Sequence, residues 1–536
     1  MIIDGRTVPR DSTLEVDICI VGAGPAGISL ALSFLDRAST TVALLESGGL
    51  EFDEEPQTLA ETDVVGQAYY PVKETRIRMF GGSTISWGGI VSPLDAIDFE
   101  PRDWVPNSGW PFSRTELDPY YDRAFRLFDV DPGETNSTVD ELPEEEIGGA
   151  PTPDTRWSPI YFTAPTRYGK KFAHRIADSR NVRTYLFSTA TELQLNEAGG
   201  HIDGLMVRCF GGNQYRVVAR TYVVAGGGIE NARLLMTSNA VQKEGIGNQH
   251  DLVGRYFQEH PRAFGRYLVP KDTEALAQRV VGAAGTLRFS RLGLTDEVQQ
   301  KEELLNFIVN LSFGYAGQET PQFEAVRRIV NASRPPWSDS PYYQDTGGGP
   351  NRVRWEDVKT AIKRPDRSVQ AVVGAVVKPA RMRRWVDIGT SVEQVPRPEN
   401  RLVLNNERDT LGIPKVDLHW TLSDDEERTY RRGMELVLEA LERYVPGISS
   451  QRMDDPDPWP GEVLGTWHHI GTTRMHDDPT RGVVDANNRV HGVDNLYMAG
   501  SSVFPASGAS APTLTIVALA LRLADHLGAS APTLTD

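Results

Sequence analysis

Cysteine is scarce: the 536-residue chain holds two, Cys19 and Cys209. Two thiols without metal-like spacing supply neither a disulfide framework nor a zinc site, so no metal centre is expected. They fit a reducing compartment. Cys19 sits in the apolar run Val16-Asp17-Ile18-Cys19-Ile20-Val21 and reads as a small buried hydrophobe. Long apolar stretches are also missing. No run approaches ~18 consecutive apolar residues, so no transmembrane helix and no membrane partner are expected. The opening MIIDGRTVPRDST has no basic region followed by an apolar one. No secretory signal is read there, and the expected location is the cytoplasm. Basic charge is in deficit, with 56 Lys and Arg against 73 Asp and Glu and a net charge of -17. A nucleic-acid or anionic-membrane surface needs clustered Lys and Arg, so both are disfavoured. The densest basic run, Arg381-Met382-Arg383-Arg384, reads as a solvated or anion-paired stretch. No internal repeat of about 20–50 residues is present, which excludes solenoids and propellers. The length points to roughly three ordinary domains or two large ones.

Glycine is placed with more purpose. The run 16–21 is short and apolar and reads as a buried parallel strand. Gly22, Gly24 and Gly27 follow in Gly-x-Gly-x-x-Gly spacing, then a helical pattern from Ile28 to Leu35. A second apolar run, Thr41 to Leu45, ends in Glu46, about 20 residues past the glycines. Each part has a physical task. Gly22 permits the turn, Gly24 lets backbone approach a pyrophosphate, and Gly27 lets helix and strand pack closely. The helix N-terminus offers its N–H groups and positive dipole end to the phosphates. Glu46 stands where a carboxylate accepts from a ribose diol, and its charge disfavours a 2′-phosphate. The motif indicates a dinucleotide and leaves FAD and NAD both open.

Further along, Asp140 to Pro153 is acidic and rich in Pro and Gly, and reads as an exposed linker. Residues 181–225 alternate in short runs that suggest a small β-meander. It ends in Thr221-Tyr222-Val223-Val224-Ala225 and Gly226-Gly227-Gly228, with a helix through Asn231 to Leu235. This second strand–glycine–helix unit is expected to rejoin the first sheet. The middle, about 262–450, carries strand-like runs at Val369 to Val377 and Arg401 to Leu404, and one amphipathic helix, Asp424 to Tyr444. The loop 333–352 is long, aromatic and glycine-rich, and reads equally as a lid or as a disordered excursion.

Near the C-terminus, His468 and His469 stand side by side in Trp467-His468-His469-Ile470-Gly471. Histidine is the natural proton acceptor near neutral pH, although either one alone reads more readily as packing or capping. Leu496 to Pro505 reads as a strand running into a turn. Pro512-Thr513 then opens a helix from Ile516 to Leu527. Such a helix start leaves free N–H groups for an electron-rich edge.

Taken together, these segments resemble the glucose–methanol–choline family of flavin oxidoreductases over most of the chain and in family order. The resemblance is carried by GAGPAG at 22–27, Met79 to Thr84 through Trp87-Gly88-Gly89, and Ser108-Gly109-Trp110-Pro111 with Tyr120-Tyr121. Ala225 to Leu235, Asp251 to Tyr256 with His260-Pro261, and both C-terminal stretches complete it. Within the family the chain is most similar to the pyranose oxidase branch and its bacterial relatives that oxidise sugars and C-glycosides. The resemblance implies an α/β chain, α+β overall. A discontinuous Rossmann-like FAD-binding domain (1–95, 181–262 and 455–536) would carry a β-sheet substrate-binding cap and connecting segments (96–180 and 263–454). It places Gly22, Gly24 and Gly27 at the pyrophosphate and Glu46 at the adenosine ribose. Gly82 and Ser83 would run along the flavin, Thr191 by adenine, and Ser501 and Thr513 between pyrophosphate and flavin pyrimidine edge. His468 is implied as the base, three residues before Gly471, with the His469 side chain pointing elsewhere. It would take the hydroxyl proton while hydride passes to flavin N5. The implied product is a ketone at C3 or C2 of a pyranose, with O2 or a quinone-type molecule as electron acceptor.

Two departures from the family matter. The position used for a covalent flavin bond in pyranose oxidase is Ser86, so non-covalent FAD is expected. The family's Asn or His before the C-terminal proline is Ala511. Losing such a contact costs on the order of 1–3 kcal/mol unless another group replaces it. The favoured reading is that the small side chain makes room for a bulky substrate such as a sugar with an aglycone. The alternatives are FAD-dependent oxidation of another alcohol, an NAD-dependent dehydrogenase sharing only the nucleotide turn, and a flavoprotein without turnover. Oligomeric state stays open, with a homo-oligomer among the options.

Overall fold

The computed structural model describes residues 1–35, 37, 39–131, 152–163, 166–269, 273–281, 288–331, 353–454, 458–461 and 463–530. The loop 333–352 and residues 140–151 of the acidic linker lie outside them.

The fold is mixed α/β, built on three sheets. The first is eight-stranded. Its parallel part runs Ile2–Asp4, Val182–Leu186, Val42–Leu45, Thr13–Val21 and Gln214–Val224, with Leu496–Met498 also parallel to the last. Ile202–Arg208 and Thr189–Leu195 extend it antiparallel, closing the expected meander. The apolar ends of these strands are buried, as a sheet covered on both faces requires. The helix Pro25–Ser33 is buried from Ala26 to Ala31 between this sheet and the helix Thr513–Ser530. Val224 pairs with Val21 on one side and Met498 on the other. The turns after all three strands therefore leave the sheet side by side.

The second sheet is six-stranded and antiparallel: Phe264–Leu268, Arg383–Val392, Phe307–Tyr315, Arg288–Leu294, Thr155–Phe162 and Ile90–Val91. The helix Asp424–Leu441 packs on it through Tyr430, Met434, Val437 and Leu441. Ser423 and Glu426 form a capping box at its start, and Asp424 to Glu427 place negative charge at its positive dipole end. A third, three-stranded sheet joins Arg401–Arg408, Pro414–Trp420 and Asp63–Gly66. Arg102 forks onto Glu393 in a fully buried pair, tying the segment after the second sheet's edge strand to the end of the strand Arg383–Val392.

One sequence expectation changes. The valine-rich run Val369 to Val377 is a helix, Pro365–Val376, not a strand. An apolar β-branched run of this length fits either element, and here Pro365 at the first turn starts a helix that packs on the helix Pro321–Asn331. The stretch 96–180 contributes to two sheets. Its helices Asp118–Leu127 and Tyr168–Ala177 send Tyr121, Phe125, Tyr168 and Phe172 into the core of the first sheet. Of that stretch, the strand Thr155–Phe162 joins the second sheet.

Gly27 is where the first helix touches the strand turn: a Cβ there would collide with the Gly22 carbonyl oxygen. Backbone cannot yield as a flexible side chain does. Gly27→Ala should therefore cost about 1–3 kcal/mol of stability, read as a lowered melting temperature of the flavin-free protein. An unchanged melt would mean that the helix moves away freely.

Candidate active site

The turns after the three parallel strands border one cavity. Gly22, Gly24, Glu46, Gly82, Ser83, Thr191, His468, Ser501 and Thr513 all line it. Gly27 does not, because it lies behind the turn against Gly22. Gly22 has φ +101°, and a Cβ would come within 2.5 Å of the Ala225 carbonyl oxygen, so a side chain is excluded twice. Gly24 differs. Its backbone is extended and a Cβ would meet nothing within 4 Å, so it faces open space directly before the helix that starts at Pro25. Gly82 comes so close that a Cβ would sit 2.9 Å from the Gly24 Cα. Glu46 is buried and accepts from the backbone N–H of Ala23 (3.0 Å) and of Gly48 (2.9 Å), so its carboxylate also braces the glycine turn.

Ser501 donates to the His469 carbonyl oxygen at 2.7 Å, and Thr191 to the Met206 carbonyl at 3.3 Å. Thr513 is the first residue of the C-terminal helix, next to Ala511 and Pro512, which also line the cavity. Ser86 lines it too, with its hydroxyl turned to the Ser83 carbonyl at 3.4 Å.

A short antiparallel ladder brings the histidines in. Gln258 bridges Ile470, and Arg262 bridges Leu464. Between these rungs, His468 Nδ1 lies 2.7 Å from His260 Nδ1 and 2.7 Å from Thr466 Oγ1. His468 lines the cavity, and with Nδ1 engaged in both contacts Nε2 is the ring nitrogen left for a substrate. Burial, then the nearby His260, His469 and Arg262, hold the His468 pKa well below the usual histidine value. The ring is therefore neutral near pH 7, as a proton acceptor must be. His469 also lines the cavity but has another partner: its Nε2 meets Thr75 Oγ1 at 3.1 Å, and burial followed by the Arg76 charge lowers its pKa to about 3.

Several lining groups carried no role in the sequence reading. Arg76 and Arg78 grip Glu230 at 2.6 and 2.8 Å, and Arg233 holds Asp409 at 2.6 Å. Burial pushes Glu230 up, but Arg78, Arg76 and Arg233 pull it down to about 2, so it stays ionised. Trp467 lines the cavity beside the base in a left-handed backbone (φ 66°), a conformation costing of order 1–3 kcal/mol. Its indole Nε1 is buried without a hydrogen-bond partner among the described residues. The glycine doublets and the pair of arginines before Met79 were the available signals. The orphaned indole had none.

The donor set fits a dinucleotide flavin. Gly24 and the helix at Pro25 offer an open, positive cradle, and Glu46, Thr191, His468 and Thr513 line the same cavity. Among the described residues no cluster could hold a metal, and no helix is long and apolar enough to cross a membrane.

Comparison with known proteins points the same way. Residues 396–520 match the family model described as GMC oxidoreductase. Paromamine 6'-oxidase of Streptomyces fradiae is 25% identical over 96% of this chain and 92% of its own length. C-glycoside 3-oxidase of Microbacterium trichothecenolyticum is 35% identical, over 22% of each chain. The crystal structure of a formate oxidase superimposes with a TM-score of 0.59 at 17% identity, over 98% of this chain and 99% of that one.

The open space at Gly24 makes a separable prediction. Gly24→Ala should leave the stability of the flavin-free protein unchanged while weakening FAD binding by ~10-fold or more, which is ~1.4 kcal/mol, measured by fluorescence titration. Unchanged affinity would remove Gly24 from the cradle.

Proposed function

We propose that this chain, which belongs to the GMC oxidoreductase family and is an FAD-dependent oxidoreductase of CH–OH groups, oxidises a ring hydroxyl of a sugar or C-glycoside. FAD is held non-covalently, His468 is the base, and C3 or C2 of a pyranose becomes a ketone. The observation that carries this reading is the His468 ring: Nδ1 is held from behind and Nε2 is left to the cavity. FAD, when bound, supplies the acceptor for the hydride of the alcohol carbon. The chain does the rest. Gly22, Gly24 and the helix at Pro25 hold the pyrophosphate, Glu46 the ribose, and Thr191 the adenine end. Gly82, Ser83, Ser501 and Thr513 border the flavin. His468 Nε2 receives the hydroxyl proton at a site burial keeps largely dry, and Ala511 leaves space for an aglycone. Ser86 bears a hydroxyl directed at backbone, which supports non-covalent flavin. O2 or a quinone-type molecule would be the terminal electron acceptor. Two buried free cysteines fit a cytoplasmic location.

A second reading concerns the carbon attacked. Similarity over nearly the whole chain to a paromamine 6'-oxidase supports a 6′ hydroxyl of an aminoglycoside sugar as the alternative.

The purified protein should be yellow, and acid precipitation should release all its flavin; flavin retained by the polypeptide would overturn the non-covalent assignment. Anaerobic mixing with free sugars, glucosides, C-glycosides and aminoglycosides should bleach the flavin with at least one class, and the product identifies the carbon. Bleaching by none of these or by other alcohols would leave a flavoprotein without turnover. His468→Ala should keep its flavin and lose ~10²–10⁴-fold in the rate of flavin reduction, with His469→Ala much less affected. The reverse order would move the base by one residue.

A further inference from the structure

Behind the base lies a buried carboxylate that the proposed chemistry does not use. Glu259 has no exposed surface. It accepts from the Tyr69 hydroxyl, from the backbone N–H of His260 (2.8 Å), Thr466 (2.8 Å) and His468 (2.7 Å), and from Thr466 Oγ1 (3.0 Å). Gly465 permits this approach: a Cβ there would collide with the Tyr69 ring and come within 2.9 Å of the Glu259 Cδ.

The proton positions follow from what each atom can do. The Ser507 carbonyl can only accept, so His260 Nε2, 3.3 Å from it, carries that ring's hydrogen. Burial lowers the His260 pKa to about 4, so the ring is neutral and its Nδ1 is an acceptor. His468 Nδ1 must then be the donor across their 2.7 Å contact. The single hydrogen of Thr466 Oγ1 goes to the carboxylate, so this hydroxyl also accepts from His468 Nδ1. Reversing the chain would set a bare His260 Nε2 against a carbonyl oxygen.

We propose that Glu259, Thr466 and His260 are positioning residues: they fix His468 with its proton on Nδ1 and its Nε2 lone pair toward the cavity, and the Glu259 charge offsets the cation formed when His468 takes a proton. The inference rests on the reading of His468 as the base. The charged and titratable groups facing this cluster are Tyr69, His260, His468 and His469, with Arg262 near His468, Arg76 near Tyr69 and His469, Tyr70 near Tyr69, and Glu393 and Arg291 near His260. The arginines and neighbouring histidines oppose a cation at His468, and Glu259 is the carboxylate bonded to its loop. Burial raises Glu259 to about 7 against the hydrogen bonds it accepts. Its charge is therefore present above pH 7 and lost below it.

Two measurements on the flavin-loaded protein test this. Nitrogen-15 spectra of histidine-labelled protein, assigned with His468→Gln and His260→Gln, should show His468 protonated on Nδ1 and His260 on Nε2. Flavin reduction in the wild type should rise with pH through about 7. Glu259→Gln should flatten that rise and slow the alkaline rate ~10–100-fold, the range for partners that orient a reacting group. Glu259→Asp, which keeps the charge, should recover part of the rate. Thr466→Val, which removes only the hydroxyl link, should be slow as well and stands in if Glu259→Gln does not fold. A His468 proton on Nε2, or wild-type rates and pH profiles in the variants that fold, overturns the proposal. If no alcohol reduces the wild-type flavin, the sugar-oxidation reading fails, and the nitrogen spectra still decide this one.

Discussion

The pairing of one strand with two partners is the constraint on which the cavity depends. Gln214–Val224 lies between Thr13–Val21 and Leu496–Met498, parallel to both. Parallel strands present their carboxyl ends on the same side, and the crevice outside those ends is where an open α/β sheet binds ligands. Here the shared edge gathers the glycine turn at Gly22, the glycine run at Gly226 and the turn at Gly500. Any slip in this register would carry the C-terminal helix at Thr513 away from the nucleotide turn.

Electrostatics in the cavity wall follow one theme: charge is kept where it is matched and removed where it is not. Glu230 remains ionised because arginines surround it. The three buried histidines remain neutral because burial outweighs every group that would favour their charge. A neutral ring with one nitrogen occupied is a directed acceptor. Its direction comes from backbone pairing more than from the ring itself, since the ladder of 258–262 with 464–470 fixes both partners.

Much of this was legible in the sequence because it is local. The strand–glycine–helix unit at 16–35, the glycine run at 226–228 and the strand at 496–498 each declare themselves within a short window, and the structure has them all. His468 stood out through the resemblance of its neighbourhood. The partner contacts did not, because His260 and His468 meet only through folding, 208 residues apart. His260-Pro261 was visible as a motif and carried no role until the ladder brought it to the base. The valines of 369–377 misled for another reason: their periodicity is ambiguous, and packing against a neighbouring helix decided between strand and helix.

The order of synthesis gives the first sheet a further property. Its nucleotide turn is made well before the strand Leu496–Met498 and the helix Thr513–Ser530 that cover it. Until then Gln214–Val224 presents an unpaired carboxyl-terminal edge, and the helix Pro25–Ser33 lacks its outer neighbour. Such an edge is a template for pairing with other chains, and contacts of this sequence separation form slowly. The half-made protein is thus most exposed to aggregation in the same place where the finished one is best covered, and a truncation near residue 490 would make that exposure permanent.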